Sequence, residues 1–277
     1  MAEVSNLRMC PHCRAFVGSS EKLCTECNNP MPRPYAKRMA SGAALAGLVP
    51  PTHFTTLIVL MINGALFAAT LLMSLKKGGD ALFSIDSYVL YYFGAKEGMS
   101  ILAGGQWWRL VTAGFLHGGL LHILMNSWAL YDLGAQVEQT YGTPRFLVFY
   151  LVSSAMGFLA SAWWSRALSI GASAAIFGLI GAMIAYGTRH RGWLGAEMKA
   201  VYMRWAVYGL LFGLLPMFSV DNAAHIGGLA TGFGLGYVAG EPGPRSADWL
   251  WRAAAGFAVV IVAVSFVLVW VMFPASR

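Results

Sequence analysis

Apolar residues in this chain gather into blocks. Runs occupy about 54–75, 119–138, 146–165, 173–187, 201–217, 223–240 and 253–273. Most approach the ~20 residues that a helix needs to cross a hydrocarbon core. The runs at 173–187 and 201–217 are shorter. Backbone groups in lipid must be paired within their own segment, so the pattern predicts seven helices. Residues 1–35 are polar, and 36–52, rich in Ala, Gly and Pro, read as a linker. The connection 76–118 is long and half apolar, with Leu82, Phe83, Ile101, Leu102, Trp107 and Trp108. A connection of that size is expected to carry structure of its own, partly sunk into the outer leaflet.

Composition turns this pattern into a class. Of 277 residues, 57% are apolar and 11% charged, where an average soluble protein carries about 25% charged residues. Mean hydropathy is +0.59. That is too little charge to clothe a soluble globule and too much apolar side chain for a disordered one. The reading is an all-α polytopic membrane protein in contact with the lipid bilayer.

The net charge of +7 then sets orientation and does not indicate nucleic-acid binding. With the N-terminus in the cytoplasm, Lys76, Lys77, Lys96, Arg109, Arg166 and Arg277 fall outside. The remaining 13 of the 19 basic residues fall inside. An N-in, C-out arrangement in the cell membrane is expected, and no signal-peptide run precedes the polar head. Trp107, Trp108, Trp163, Trp164 and Trp270 fall near the outer interface, as aromatic belts do.

Polar residues within the apolar runs are few, and such residues are functional candidates. The second run carries His122 and Asn126, with Asp132 and Glu138 toward its inner end. The fourth opens with Ser173, and the sixth holds His225 just inside its start. These three runs all travel from outside to inside, so His122, Asn126, Ser173 and His225 should share one depth near the outer surface. The set suits nucleophilic catalysis. A serine needs a neighbouring base, and histidine titrates near neutrality. An Asn amide, a neutral His and free backbone N–H groups at a helix start can receive an oxyanion.

His122 and Asn126 are spaced i,i+4 and share a face. Phe177 lies one turn below Ser173 and could pack on the His225 imidazole. With only Asp221 as a nearby carboxylate, a Ser–His dyad fits better than a triad. Plainer readings stand beside each residue. Gly–Ala–Ser–Ala can be small-residue helix packing, His225 can be a bonded core histidine, and His122 with Asn126 can bridge helices. His117 reads as ordering the outer loop. Gly228, Gly232, Gly236 and Gly240 form a ladder that should bring the sixth run against Gly178 and Gly181 of the fourth.

These stretches resemble the rhomboid family of intramembrane serine proteases over roughly 54–240. The resemblance rests on Gly105-Gln-Trp-Trp-Arg-Leu110, the segment Phe115 to Asn126, Gly134 to Gly142 around Glu138, Gly171-Ala-Ser-Ala-Ala-Ile-Phe-Gly178 through Gly181, and Asp221-Asn-Ala-Ala-His-Ile-Gly-Gly228 with Gly232, in family order. It implies Ser173 as nucleophile, His225 as general base, and His122 and Asn126 as oxyanion donors. Trp108 and Arg109 would anchor the outer loop, and Glu138 would brace the second helix.

The implied reaction is hydrolysis of peptide bonds in or beside transmembrane segments of protein substrates, with no catalytic cofactor. The fifth helix and the segment Pro216 to Val220 would serve as a movable gate. The family core has six helices, here 53–241, so the run within 247–277 would be a seventh, C-terminal addition. Ala174 departs from the family's Gly–x–Ser–Gly. It leaves open the alternative of a weak or inactive relative that binds transmembrane clients. A transporter would show inverted repeats, and none is visible.

Cys10-Pro-His-Cys13 and Cys24-Thr-Glu-Cys27 form two knuckles in the polar head, residues 1–35. Their spacing suits a small zinc ribbon with four thiolate ligands. So short a segment needs a staple. Two disulfides are the competing reading, which a reducing cytoplasm disfavours.

Overall fold

The computed structural model describes residues 7–10, 13, 15–18, 21, 23–31, 54–77, 81–190, 192–215, 220–240 and 245–272. The linker expected at 36–52 lies outside them, as do residues 216–219 of the gate segment. The chain divides into two compact units, Met1–Leu48 and Val49–Arg277.

In the first unit, β1 (Leu7–Met9) and β2 (Phe16–Gly18) pair antiparallel, with Arg8 opposite Val17. Cys10, Val17, Cys24 and Met31 form its small buried centre.

The second unit is helical. The 76–118 connection folds into three short helices, α2 (Ser87–Tyr92), α3 (Gly98–Leu102) and α4 (Arg109–Thr112), followed by a 3-10 turn at Ala113–Phe115. Two acidic side chains start the first two. Asp86 accepts from the Val89 N–H, and Glu97 from those of Met99 and Ser100, so otherwise orphan donors are paired. Seven longer helices accompany them: α1 (Phe54–Leu75), α5 (Leu120–Tyr141), α6 (Thr143–Trp164), α7 (Ser173–Arg189), α8 (Trp193–Phe212), α9 (Asn222–Ala239) and α10 (Arg245–Met272).

By length and composition, α1, α6 and the Asp248–Met272 stretch of α10 suffice to cross a membrane. The segments Arg109–Phe115 and Leu120–Tyr141 make a fourth only as one span bent by 92°.

Two of these helices begin earlier than the apolar runs. The fifth run was expected at 201–217, whereas α8 spans Trp193–Phe212 and starts after Gly192, whose φ is +126°. Glu197, Lys199 and Arg204 interrupt its hydrophobicity without interrupting the helix. Likewise α10 starts at Arg245. Its first turns carry Asp248, which lies 3.0 Å from Arg145 of α6, and the Arg145 guanidinium sits 5.4 Å from the Trp251 ring. A buried arginine thus recruits charge and aromatic surface that a hydropathy reading passes over.

The architecture centres on α7. Nearly all of its residues are buried, and α9, α6 and α8 surround it. The α7–α9 contact is backbone on backbone. A Cβ placed at Gly228 would strike the Ala174 carbonyl, and one at Gly232 the Gly178 carbonyl. One at Gly236 would lie 2.8 Å from the Ala182 Cα. Gly240 is different. It closes α9 with φ +60°, as glycine does beyond helix ends, so the ladder has three rungs.

Gly232→Leu is therefore expected to destabilise the helical unit by several kcal/mol, at or beyond the ~1–3 kcal/mol of ordinary overpacking. Gly234→Ala, with nothing within 4 Å of the new methyl, should fall within about 0.5 kcal/mol of wild type. Reversible detergent–denaturant unfolding of both variants checks this pair.

Candidate active site

Ser173 opens α7 directly after Gly171-Ala172, a stretch with its own backbone demand. Gly171 adopts φ +123° and its N–H bonds the Ala113 carbonyl at 3.0 Å. A Cβ at this position would be strained, and it would lie 2.7 Å from His122 Nε2 and 3.6 Å from Ser173 Oγ. The absent side chain at Gly171 is thus the space onto which the imidazole of α5 and the hydroxyl of α7 both face. Ser173 itself is half-buried.

His122 has a defined tautomer. Its Nδ1 accepts from the Gly118 N–H at 3.4 Å, which leaves the proton on Nε2, the atom facing Gly171. Asn126, one turn on and buried, donates one amide hydrogen to the His122 carbonyl at 3.0 Å. The second amide hydrogen remains free for another acceptor. His117 stands edge-on to His122 at 5.2 Å, fully buried, and among the described residues neither ring nitrogen has a well-formed hydrogen bond. Its place against His122 is closer to the site than the loop-ordering role read from sequence.

His225 arrives from α9. Its ring stacks on Phe177 with centroids 4.1 Å apart and planes 12° from parallel. Phe177 is one helical turn from Ser173, so the imidazole lies along the serine's face of α7. Asp221 fixes the start of α9: its carboxylate accepts from the Ala224 N–H at 3.0 Å and from the Ser161 hydroxyl of α6. Among the described residues no hydrogen bond joins Ser173 to His225, and His225 Nδ1 is buried without a partner. Ala174, fully buried, clusters with Ala113, Phe158 and Ala224. Its methyl lies 3.0 Å from where a Cβ on Gly157 would stand, so the extra carbon faces α6.

The remaining sequence candidates serve the frame. Glu138 is buried and accepts from Thr143 at 2.6 Å and from Thr56 at 3.5 Å. It ties α5 to α6 and α1 at the end of the bundle opposite Ser173. Trp108 is buried in the 76–118 connection. Arg109 donates to the Tyr91 and Ala95 carbonyls at 2.7 and 2.9 Å and to Gln106 at 2.6 Å.

Sequence reasoning missed Lys96. It is fully buried, and its ammonium donates to the Ser165 and Ala167 carbonyls at 2.7 and 3.0 Å. A backbone bridge between Lys96 and Ser169 continues the same seam. Lys96 thus holds the segment that delivers Gly171 and Ser173. Nothing in its surrounding sequence distinguishes it from a solvated loop lysine.

The head holds a second candidate centre. The Sγ atoms of Cys10, Cys13, Cys24 and Cys27 all lie within 4.8 Å of one another. The pairs Cys10–Cys27 and Cys13–Cys24 are 3.6 Å apart. These are not disulfide distances. They bracket the ~3.8 Å expected between sulfurs of a tetrahedral site with Zn–S near 2.3 Å. The Asn29 backbone N–H pulls the Cys27 thiol down, while its neighbouring thiols push Cys13 up, as expected when four sulfurs share one small space without a cation between them.

Comparison with known proteins follows the same stretch of chain. The family model described as Rhomboid domain matches residues 104–242. Rhomboid protease GluP of Bacillus subtilis is 38% identical over 159 residues, 57% of this chain and 31% of its own. RHOMBOID-like protein 6, mitochondrial, of Arabidopsis thaliana is 38% identical over 158 residues, 55% of this chain and 50% of its own. Rhomboid-like protease 1 of Toxoplasma gondii is 31% identical over 182 residues, 62% of this chain and 61% of its own. The chain thus spans less than two thirds of the length of each of these relatives. The matched segment contains His122, Asn126, Ser173 and His225, and on that match the chain belongs to the rhomboid family.

Proposed function

We propose that this integral membrane protein is an intramembrane serine endopeptidase acting through a Ser173–His225 dyad. The observation that carries the reading is the convergence at Gly171. A hydroxyl and a protonated imidazole nitrogen face one small space there, while a second imidazole lies along the same helix face. In this reading Ser173 Oγ attacks the scissile carbonyl and its proton passes to His225. The oxyanion is received by the His122 Nε2–H, the free amide hydrogen of Asn126 and the backbone N–H at the start of α7. His225 then protonates the leaving amine, and water deacylates the enzyme. Phe177 holds the His225 ring in plane throughout. Because α7 is short, its serine sits below the surface in a polar recess and not in hydrocarbon.

The fuller assignment follows from this reading. Seven helices cross the cytoplasmic membrane, with the N-terminus inside and the dyad near the extracytoplasmic rim. The six-helix core occupies 53–241, and α10 is the added seventh span. The head binds structural zinc through Cys10, Cys13, Cys24 and Cys27. The substrates are transmembrane proteins. An inactive relative that binds transmembrane clients is the second reading; the lack of a Ser173–His225 hydrogen bond among the described residues favours it, and retention of Ser173, His225, His122 and Asn126 opposes it.

Wild type, Ser173→Ala and His225→Ala, each reconstituted with a model transmembrane substrate, decide between them. Each substitution is expected to lower cleavage at least about 10³-fold, and Asn126→Ala about 10²-fold. Equal cleavage by all variants would end the protease reading, and full activity of Ser173→Ala alone would demand another nucleophile.

For the head, metal analysis should find about one zinc per chain, lost in Cys10→Ser and Cys24→Ser. Metal-free wild type would refute the ribbon.

A further inference from the structure

Arg109 is buried to within 6% of its surface, yet its bonds are all to neutral groups. Nε donates to the Gln106 amide oxygen, Nη1 donates to two backbone carbonyls, and the Tyr91 ring lies 4.0 Å from the guanidinium carbon. Among the described residues no carboxylate pairs with it, and Nη2 has no acceptor. Glu97, whose charge reaches it, is committed to the Met99 and Ser100 N–H groups. A buried cation held by dipoles alone retains its full charge and much of its desolvation cost.

The same arginine lines a hollow of about 270 Å³, together with Tyr91, Tyr92, Gln106, Trp108, Val269 and Met272. One wall is the 76–118 connection. The other is the last turn of α10, which lies beyond the matched residues 104–242. Gly94 permits this approach: it has φ +95°, and a Cβ there would lie 2.9 Å from Val269 Cγ2.

We infer that this hollow is a binding site for the phosphodiester headgroup of a membrane phospholipid. Nη2, the one guanidinium nitrogen left without an acceptor, can donate to a phosphate oxygen, and the anion supplies the counter-charge that Arg109 lacks. Tyrosine and tryptophan flank it as they flank headgroups at a membrane interface. The exposed Trp270, Val271 and Met272 of α10 offer an apolar track for the acyl chains, which free phosphate would not use. The helix that the family match leaves out thereby acquires a role, joining the loop to the bilayer.

The test is native mass spectrometry of the full chain in detergent, with dioleoyl phosphatidylglycerol, dioleoylglycerol or inorganic phosphate supplied separately. Phosphatidylglycerol is expected to bind about tenfold more tightly than dioleoylglycerol, the scale of one charge-assisted contact. Inorganic phosphate should not displace it. Met272→Glu sets a competing carboxylate at the rim without touching the bonds of Arg109, and should weaken the lipid about tenfold. Arg109→Gln should do the same.

Equal affinity in wild type and Met272→Glu overturns the site. Equal binding of the phosphate-free lipid overturns the headgroup. Full displacement by inorganic phosphate makes it a free-anion site and overturns the lipid. No outcome depends on proteolysis, so the result is independent of the role given to Ser173.

Discussion

The contact on which this molecule depends is the one between the backbones of α7 and α9. At Gly228 and Gly232 the facing carbonyls of Ala174 and Gly178 occupy the volume where any side chain would stand. Helices in lipid gain little from burying apolar surface against one another, so close dispersion contact must supply the adhesion. The same closeness sets the chemistry. His225 lies three residues before Gly228, and Ser173 one before Ala174. A shift of α9 outward by one side-chain diameter would carry the imidazole away from Phe177. Stability and site geometry are one constraint here, and neither can be relaxed without the other.

Around that contact, rigidity comes from polar groups that bridge separate segments. Lys96 binds the carbonyls ahead of Ser173, Asp221 joins α9 to Ser161 of α6, and Glu138 ties α5 to α1 and α6. Each is a residue whose burial would be costly unpaired, and each therefore demands one arrangement of its neighbours. Apolar surfaces could slide; these groups do not permit it.

Much of this was legible in the sequence, because the runs of apolar residues and the few polar residues within them report different things. Run positions predicted the long helices to within a few residues, except where charge interrupted them. The early turns of α8 carry Glu197 and Lys199, and those of α10 carry Asp248, so hydropathy alone placed both starts too late. Ser173, His225, His122 and Asn126 were identifiable as the few polar residues within the apolar runs. The meeting of Ser173 and His122 at the space beside Gly171 was not, since it depends on a positive φ that no spacing rule announces. Charge counting treated Lys96 and Arg145 as loop cations. Both are buried, because their partners lie far away in sequence: residues 165 and 167 for the lysine, Asp248 for the arginine.

Among the described residues, not every buried polar atom finds a hydrogen-bond partner. Both nitrogens of His117 and Nδ1 of His225 are buried without a well-formed hydrogen bond, and so are the hydroxyls of Ser153 and Ser154. Each such atom costs about 1–3 kcal/mol if nothing meets it. Evolution could have replaced them with apolar side chains at little structural expense, since several line the tight α6–α7 seam. They are not confined to one end of α7, since Arg145 Nε and Asn222 Oδ1 are likewise buried without a hydrogen bond among the described residues.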